Sequence, residues 1–337
     1  MRRLLLSLSV LSLFAACSSE PAQAKVDPLK APLGLEDVQL VTNPDNPVTL
    51  AKVELGKQLF FDARLSGTGK MACSSCHLPE QAFTDGRALS PKDDGKTNTR
   101  NSPTMCNVGY LDRLYWDGRA TSLEGNVGAA WKAQIGGKPE EVATRLAAVP
   151  EYVKSFQEAF QAPPSEKTIV QALASFLRTL RSGDSAYDRY KAGKEDALSA
   201  DAKAGMNLFV GKAGCAMCHL PPLFTNRGFH NVGIGMSAET PDIGAASDKS
   251  FNDKARTGQF KTPTLRDVAK TAPYFHDGSV KTLKEAVALM ASGGLANPHK
   301  DPTLLDRKLS EQEIDQLVAF LESLSGNVAF TPPAVPK

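Results

Sequence analysis

Residues 73–79 read CSSCHLP, and residues 215–221 read CAMCHLP. Each opens with C-x-x-C-H, the pattern of c-type haem attachment. The spacing follows from the chemistry. Each thiol adds to one vinyl group of the porphyrin, and two intervening residues let both sulfurs reach the same ring edge. The adjacent His then turns its imidazole onto the iron. A solitary C-x-x-C can be half a zinc site or a redox pair. Two copies in an exported chain imply two covalently bound c-type haems instead, one on Cys73, Cys76 and His77 and one on Cys215, Cys218 and His219.

The similarity reaches beyond the motifs. Gly56-Lys57-Gln58-Leu59-Phe60 leads into the first, and Gly205-Met206-Asn207-Leu208-Phe209 into the second. Downstream, SPTMCNVGYLDRLYWDGRATSLEGNVGAAW lies over TPTLRDVAKTAPYFHDGSVKTLKEAVALMA without a gap, at a constant offset of 160 (Asp117 to Asp277). The chain is therefore a duplicated haem domain. The haem histidines are offset by only 142 (His77 to His219), so the second half carries about 18 extra residues, expected in the Gly-rich loop around 233–260.

The local pattern is helical. Thr282-Leu283-Lys284-Glu285 and Ser310-Glu311-Gln312-Glu313 are capping boxes, followed by Leu283, Ala286, Val287 and Met290 and by Ile314, Leu317, Leu321 and Leu324 on one face each. Residues 165–180 repeat the period through Ile169, Leu173, Phe176, Leu177 and Leu180. No stretch alternates as a strand would. The expected fold is mostly α, with two cytochrome c-like domains.

A length of 337 residues suits two domains. A formal charge of +2 argues against a nucleic-acid partner. Arg2 and Arg3 precede an apolar run from Leu4 to Ala16, too short to span a bilayer, which reads as an export signal to the periplasm. Phe14-Ala15-Ala16-Cys17 resembles a bacterial lipobox, with Phe where Leu is usual, and its small residues before Cys favour a lipidated, membrane-anchoring Cys17. Ordinary cleavage after Ala22-Gln23-Ala24 is the competing route. Residues 1–24 are thus read as signal and 25–45 as a Pro-rich tether. Residues 46–190 are read as the N-terminal haem domain and 191–330 as the C-terminal one. Cys106 remains over and is expected as an inert buried thiol.

A haem iron has two axial positions. His77 fills one, and residues 78–101 hold no His and no Met to fill the other. In the second half Met290 stands where the first half has Ala130. A thioether binds haem iron and raises its potential, and a methyl group binds nothing. Met290 is expected as the second haem's axial ligand, against Met236, His230 and His299 as competitors and against a plain core role. In the first half Lys92 and Lys96 bind iron only when deprotonated. An open iron takes peroxide, whereas a closed one mainly passes electrons.

At this point FTDGR (83–87), RNSPT (100–104), YWDGR (115–119), FHNVG (229–233), TPTLRDV (262–268) and APYFHDG (272–278) carry a resemblance. Over roughly residues 45–326 the chain resembles the bacterial di-haem cytochrome c peroxidases and their MauG relatives. The resemblance implies a peroxide-reactive haem in the N-terminal domain and a high-potential, electron-entry haem in the C-terminal one. It implies that Met290, 14 residues after the His of YFHDG, is the latter's axial ligand, and that Trp116 of YWDGR lies between the haems. It also implies a calcium ion held by the Asn101 side chain and the backbone carbonyls of Thr271 and Pro273, oxygen ligands that suit a hard cation. A small c-type cytochrome or cupredoxin would be the electron donor. Members are often dimeric, although no residue here marks an interface.

Two departures stand out. The distal His of classical members is missing from loop 86–100, so no reductive activation is expected. The family's distal Glu, followed by an apolar residue and Gly, is matched by Gln134-Ile135-Gly136. An amide orients peroxide but does not take and return a proton. Glu124, Glu140 and Glu141 are the expected substitutes, each with a solvated helix face as the plain alternative. The leading reading is a peroxidase reducing hydrogen peroxide to water. The others are a MauG-like oxidase acting on aromatic side chains of a partner protein, and a non-catalytic electron carrier.

Overall fold

In a computed structural model, described for residues 27–337 apart from Asn252 and Ala329, side-chain caps start most of the helices. In chain order these are α1 (Leu50–Phe60), α2 (Leu123–Gln134), α3 (Pro139–Ala147), α4 (Pro150–Phe160), α5 (Glu166–Leu177), α6 (Ala186–Lys191), α7 (Ala200–Val210), α8 (Leu283–Ala291) and α9 (Glu311–Glu322). Thr49, Ser122, Ser165, Ser185, Ser199, Thr282 and Ser310 each accept a backbone N–H from the first turn of the helix that follows. The expected capping boxes at Thr282 and Ser310 both close through Glu285 and Glu313. Proline opens α3 and α4, where its missing N–H costs nothing. The fold is mostly α, as expected.

The duplication is visible in the packing. Helix α1 crosses α5, and α7 crosses α9. The crossings are close because Gly56 and Gly205 carry no side chain. A methyl group on Gly56 would lie 1.9 Å from the Ala172 carbonyl oxygen, and one on Gly205 would lie 1.9 Å from that of Gln316. The turns that follow match as well. Asn107 and Asp267 both take left-handed backbone (φ 62° and 59°), as do Tyr115 and Phe275 (φ 64° and 67°). Leu114 bridges Ala120 as Tyr274 bridges Val280.

Between the duplicated parts the second half forms a short antiparallel ladder, β1 (Phe229–His230) with β2 (Phe260–Lys261). The extra residues lie between these strands, in the loop where the offsets place them. From that loop Asp242 accepts two hydrogen bonds from Arg100, at 2.7 and 2.8 Å, and Arg100 also donates to Asp117 at 2.6 Å. The insertion is thus tied to the first half. A second tie is the fully buried Arg266, which forms a bidentate pair with Asp188, both bonds at 2.8 Å.

Two boundaries differ from expectation. Residues 27–45 are no free tether. Leu35 is fully buried against Tyr110 of the first half and Leu223 of the second. The backbone of Val41 accepts from Arg178 and donates to Gly109. Burying Leu35, Val38 and Leu40 at this seam outweighs the freedom that a Pro-rich composition suggests. The chain also returns to the first domain after α9. Phe330 stacks on Phe61, meets Phe83 edge-on and lies tilted against Phe176, so this aromatic belongs to the first core. The leader, with Cys17, lies outside the described residues.

Candidate haem-binding centres

The two motifs fold alike. Each begins as one turn of 3₁₀ helix, Cys73–Ser75 and Cys215–Met217. His77 Nδ1 lies 2.8 Å from the carbonyl oxygen of Phe83, and His219 Nδ1 lies 2.9 Å from that of Phe224. A carbonyl only accepts, so Nδ1 carries the proton and Nε2 presents its lone pair. This is how metal-binding imidazoles are oriented. Burial lowers both imidazoles, His219 to about 4, so both are neutral at pH 7. Burial likewise pushes the Cys73 thiol up to about 12 and that of Cys215 to about 11.

The second centre is a cavity of about 240 Å³ with an almost wholly apolar lining. Cys215, Cys218 and His219 stand in its wall, with Met290 from α8, Tyr274 and Leu321. Lys261 also faces it, buried, its ammonium without a hydrogen-bond or ion-pair partner among the described residues and lowered to about 8 by burial. An apolar slot with paired cysteines, an oriented imidazole and one buried cation fits haem, a flat apolar ring bearing carboxylates. Of the competitors for the sixth position, only His230 shares this lining with Met290. Its ring is engaged, with Nδ1 2.5 Å from Asp301 and Nε2 3.6 Å from Cys218 Sγ. His299 is exposed, and Met236 packs instead at Gly258.

Trp116 belongs to the first half but lines the second cavity. Its indole N–H donates to the Asn101 carbonyl at 2.9 Å, and its own carbonyl accepts from Lys261 N–H at 2.8 Å. Its repeat partner His276 also lines the cavity, stacked on Phe260 with ring centroids 3.6 Å apart. Asn101 meets the loop that carries Thr271 and Pro273, because its N–H donates to the His276 carbonyl at 2.7 Å. Its side-chain amide nitrogen donates to Arg87 at 2.8 Å, which leaves the amide oxygen as the atom available to a cation.

Around the first centre the structure corrects the reading of Glu124. Its carboxylate is taken by Arg178, at 2.7 and 3.1 Å, and by Asn46 at 2.8 Å. Burial alone would raise it, but these donors outweigh burial and hold it at about 2. Such a carboxylate does not pick up a proton at neutral pH; it anchors α2 to α5. Glu141 is exposed and pairs with Lys138 and Arg145, and Glu140 is exposed on the same turn, the solvated face that was the plain alternative. Gln134 is half-buried at the end of α2, and its carbonyl accepts the N–H of Asp93 at 3.0 Å. Asp93 in turn receives the Thr68 N–H at 2.9 Å, which folds loop 92–95 back onto α2. No motif marks Asp93, and only the fold brings it to Gln134.

Comparison with known proteins follows the same division. The profile described as di-haem cytochrome c peroxidase matches residues 50–196, and that of cytochrome c matches 202–325. The chain is 37 % identical to a cytochrome-c peroxidase, IdrP1, of Denitromonas iodatirespirans, covering 96 % of this chain and 93 % of that one. It is 38 % identical to the methylamine utilization protein MauG of Methylophilus methylotrophus, covering 83 % and 84 %. A crystal structure of a MauG-like protein associated with microbial copper homeostasis superposes with a TM-score of 0.80. There the identity is 32 %, over 91 % of this chain and 97 % of that one.

Proposed function

The chain belongs to the di-haem cytochrome c peroxidase and MauG family, and on that premise we propose that it reduces hydrogen peroxide to water at the centre built on His77. Electrons enter at the centre built on His219, from a small periplasmic c-type cytochrome or cupredoxin. The observation that carries this reading is the asymmetry of the halves. Met290 stands in the second cavity, whereas residues 78–101 offer the first iron neither His nor Met.

Haem, when bound, supplies the redox chemistry on peroxide and takes up the electrons. The protein's part is positional. The Phe83 and Phe224 carbonyls hold Nδ1 of His77 and His219, so that each Nε2 lone pair would be free to bind a haem iron. Met290 would hold the haem of the second cavity, and residues 78–101 offer the first no His or Met in that role. Trp116, fixed at both its indole and its backbone, offers a conjugated step between the centres. Gln134 orients peroxide by hydrogen bonds, and proton delivery falls to solvent, because an amide does not return a proton. Turnover is therefore slower than with a carboxylate at that place. Calcium held by Asn101, Thr271 and Pro273 would stiffen the seam between the halves. Export to the periplasm, with Cys17 as a lipid anchor, completes the reading.

The test is peroxide-dependent oxidation of a reduced small c-type cytochrome, together with resting-state EPR. Turnover and a high-spin ferric signal from the first haem support the reading. Two low-spin signals with no response to peroxide leave an electron carrier instead. A second reading rests on the 38 % identity to MauG: oxidation of aromatic side chains of a partner protein. Peroxide reactivity with no turnover of the cytochrome would favour it.

A further inference from the structure

The repeat allows the surroundings of the two haem sites to be compared position by position. After each motif the chain turns back to give the carbonyl that holds the proximal His, Phe83 in the first half and Phe224 in the second. Two residues later stand Asp85 and Asn226. Both make the same turn. Asp85 accepts the Arg87 N–H at 3.2 Å, and Asn226 accepts the Gly228 N–H at 2.7 Å. The local conformation is shared and the charge is not. Asp85 is also buried, 7 % exposed, whereas Asn226 is exposed. One Asp85 oxygen is buried with no hydrogen-bond partner, and among the described residues no cation lies within ion-pair distance. Its charge acts on Cys76, where that of Arg87 opposes it, and on His77, where Arg87 does not.

A second equivalent pair differs in the same sense. Asn101 of the first half corresponds to Lys261 of the second, at the offset of 160. Asn101 spends its amide N–H on the Arg87 carbonyl. Lys261 is 9 % exposed and faces the second cavity. In the first pair only the first site carries a charge, the Asp85 carboxylate, and in the second pair only the second site does, the Lys261 ammonium.

We propose that Asp85 and Lys261, buried charges of opposite sign beside the first and second haem sites, set the potentials of the two haems apart. The inference rests on the two-haem peroxidase reading and adds a cause for its division of labour. An oxidised haem carries one more positive charge than a reduced one. A neighbouring anion therefore favours the oxidised form and lowers the potential, and a cation raises it. Burial matters because exposed charges are screened by water and salt, and buried ones much less. The polarity keeps the first iron ferric at rest and stabilises oxidising equivalents there. It also makes the second centre the better acceptor for electrons from a donor. Axial ligation by Met290 acts in the same direction at the second haem alone, so the charges provide what ligation does not, a term at the first.

Spectroelectrochemical titration of the holoprotein tests this. Asp85→Asn keeps the turn and removes the charge. It should raise the first haem's midpoint by the equivalent of a tenfold shift in its redox equilibrium, 59 mV for a one-electron couple, and leave the second unmoved. Lys261→Met should lower the second midpoint and leave the first. Unmoved midpoints in both variants overturn the proposal. Equal movement of both haems in either variant also overturns it, since it reports a rearrangement and not a local charge. Should Asp85→Asn fail to load haem, Asp85→Ser retains a turn acceptor without charge; if that also fails, Lys261→Met decides alone. Midpoints that move as stated in a protein inert to peroxide would keep the electrostatic inference and discard the peroxidase reading.

Discussion

Trp116 and His276 occupy equivalent positions of the two repeats and are joined through one residue. The Trp116 indole N–H donates to the Asn101 carbonyl, and the Asn101 N–H donates to the carbonyl of His276. The seam between the halves is therefore built from the duplicated turn itself, and it places a first-half aromatic in the second cavity. Trp116→Phe keeps a ring of similar shape but loses the N–H and the more oxidisable indole. Rapid mixing of the reduced protein with peroxide should show slower oxidation of the second haem, with unchanged peroxide binding at the first. An unchanged inter-haem rate would return Trp116 to simple packing.

Glu124 should matter to stability and not to chemistry. Its side chain is 13 % exposed and that of Arg178 is 3 % exposed, so the pair is largely out of water. Glu124→Gln leaves Arg178 short of its counter-charge and should cost on the order of 2–3 kcal/mol. The pH dependence has a definite sign. A carboxyl held at about 2 when folded and near its ordinary value of about 4.3 when unfolded contributes stability above the unfolded value. That contribution fades as pH falls from about 4.3 toward about 2, and the glutamine variant lacks it. Denaturant melts of both proteins between pH 7 and pH 3 should therefore converge. Curves that stay parallel would place the ion pair's contribution elsewhere.

The sequence made the repeat legible because covalent haem attachment demands a fixed spacing, and the capped helices legible because Thr282 and Ser310 each have a glutamate three residues on. Met290 was found by alignment of the halves and Trp116 by the family resemblance, and both line the cavity. The distal acid was not legible. Glu124 has the right chemistry in the right half, and only the fold shows Arg178, 54 residues away, in possession of it. The role of residues 27–45 was hidden for a similar reason. Leu35 is one apolar residue in a Pro-rich stretch, and its partners Tyr110 and Leu223 come from opposite halves. Asp85 was present in FTDGR from the start, but its burial and its lone oxygen are properties of the folded loop.

The helix crossings should be equally intolerant in the two halves. A Cβ at Gly56 or Gly205 would meet backbone oxygen at 1.9 Å, and backbone cannot step aside as a flexible side chain can. Gly56→Ala and Gly205→Ala should each cost about 1–3 kcal/mol through forced separation of the helices. Thermal unfolding of the holoproteins would show the loss. A variant as stable as the parent would mean that the helices part at no cost and that the glycine is not the reason they lie close.

Met290→Ala separates a ligand from a core residue. If Met290 only packs, truncation costs about 2–5 kcal/mol of stability and leaves the iron's spectrum unchanged. If its sulfur binds the iron, the sulfur-to-iron charge-transfer band disappears, the second haem turns high-spin, and its midpoint falls. The second outcome is expected, because α8 brings Met290 to the cavity that holds His219 while His230 is already held by Asp301. Met290→His sharpens the distinction: it should restore a six-coordinate, low-spin iron, yet at a lower potential than Met gives. Electron entry from the donor should then slow although the site is again closed. A band that survives in Met290→Ala would assign the sixth position to another side chain and remove the asymmetry on which the peroxidase reading stands.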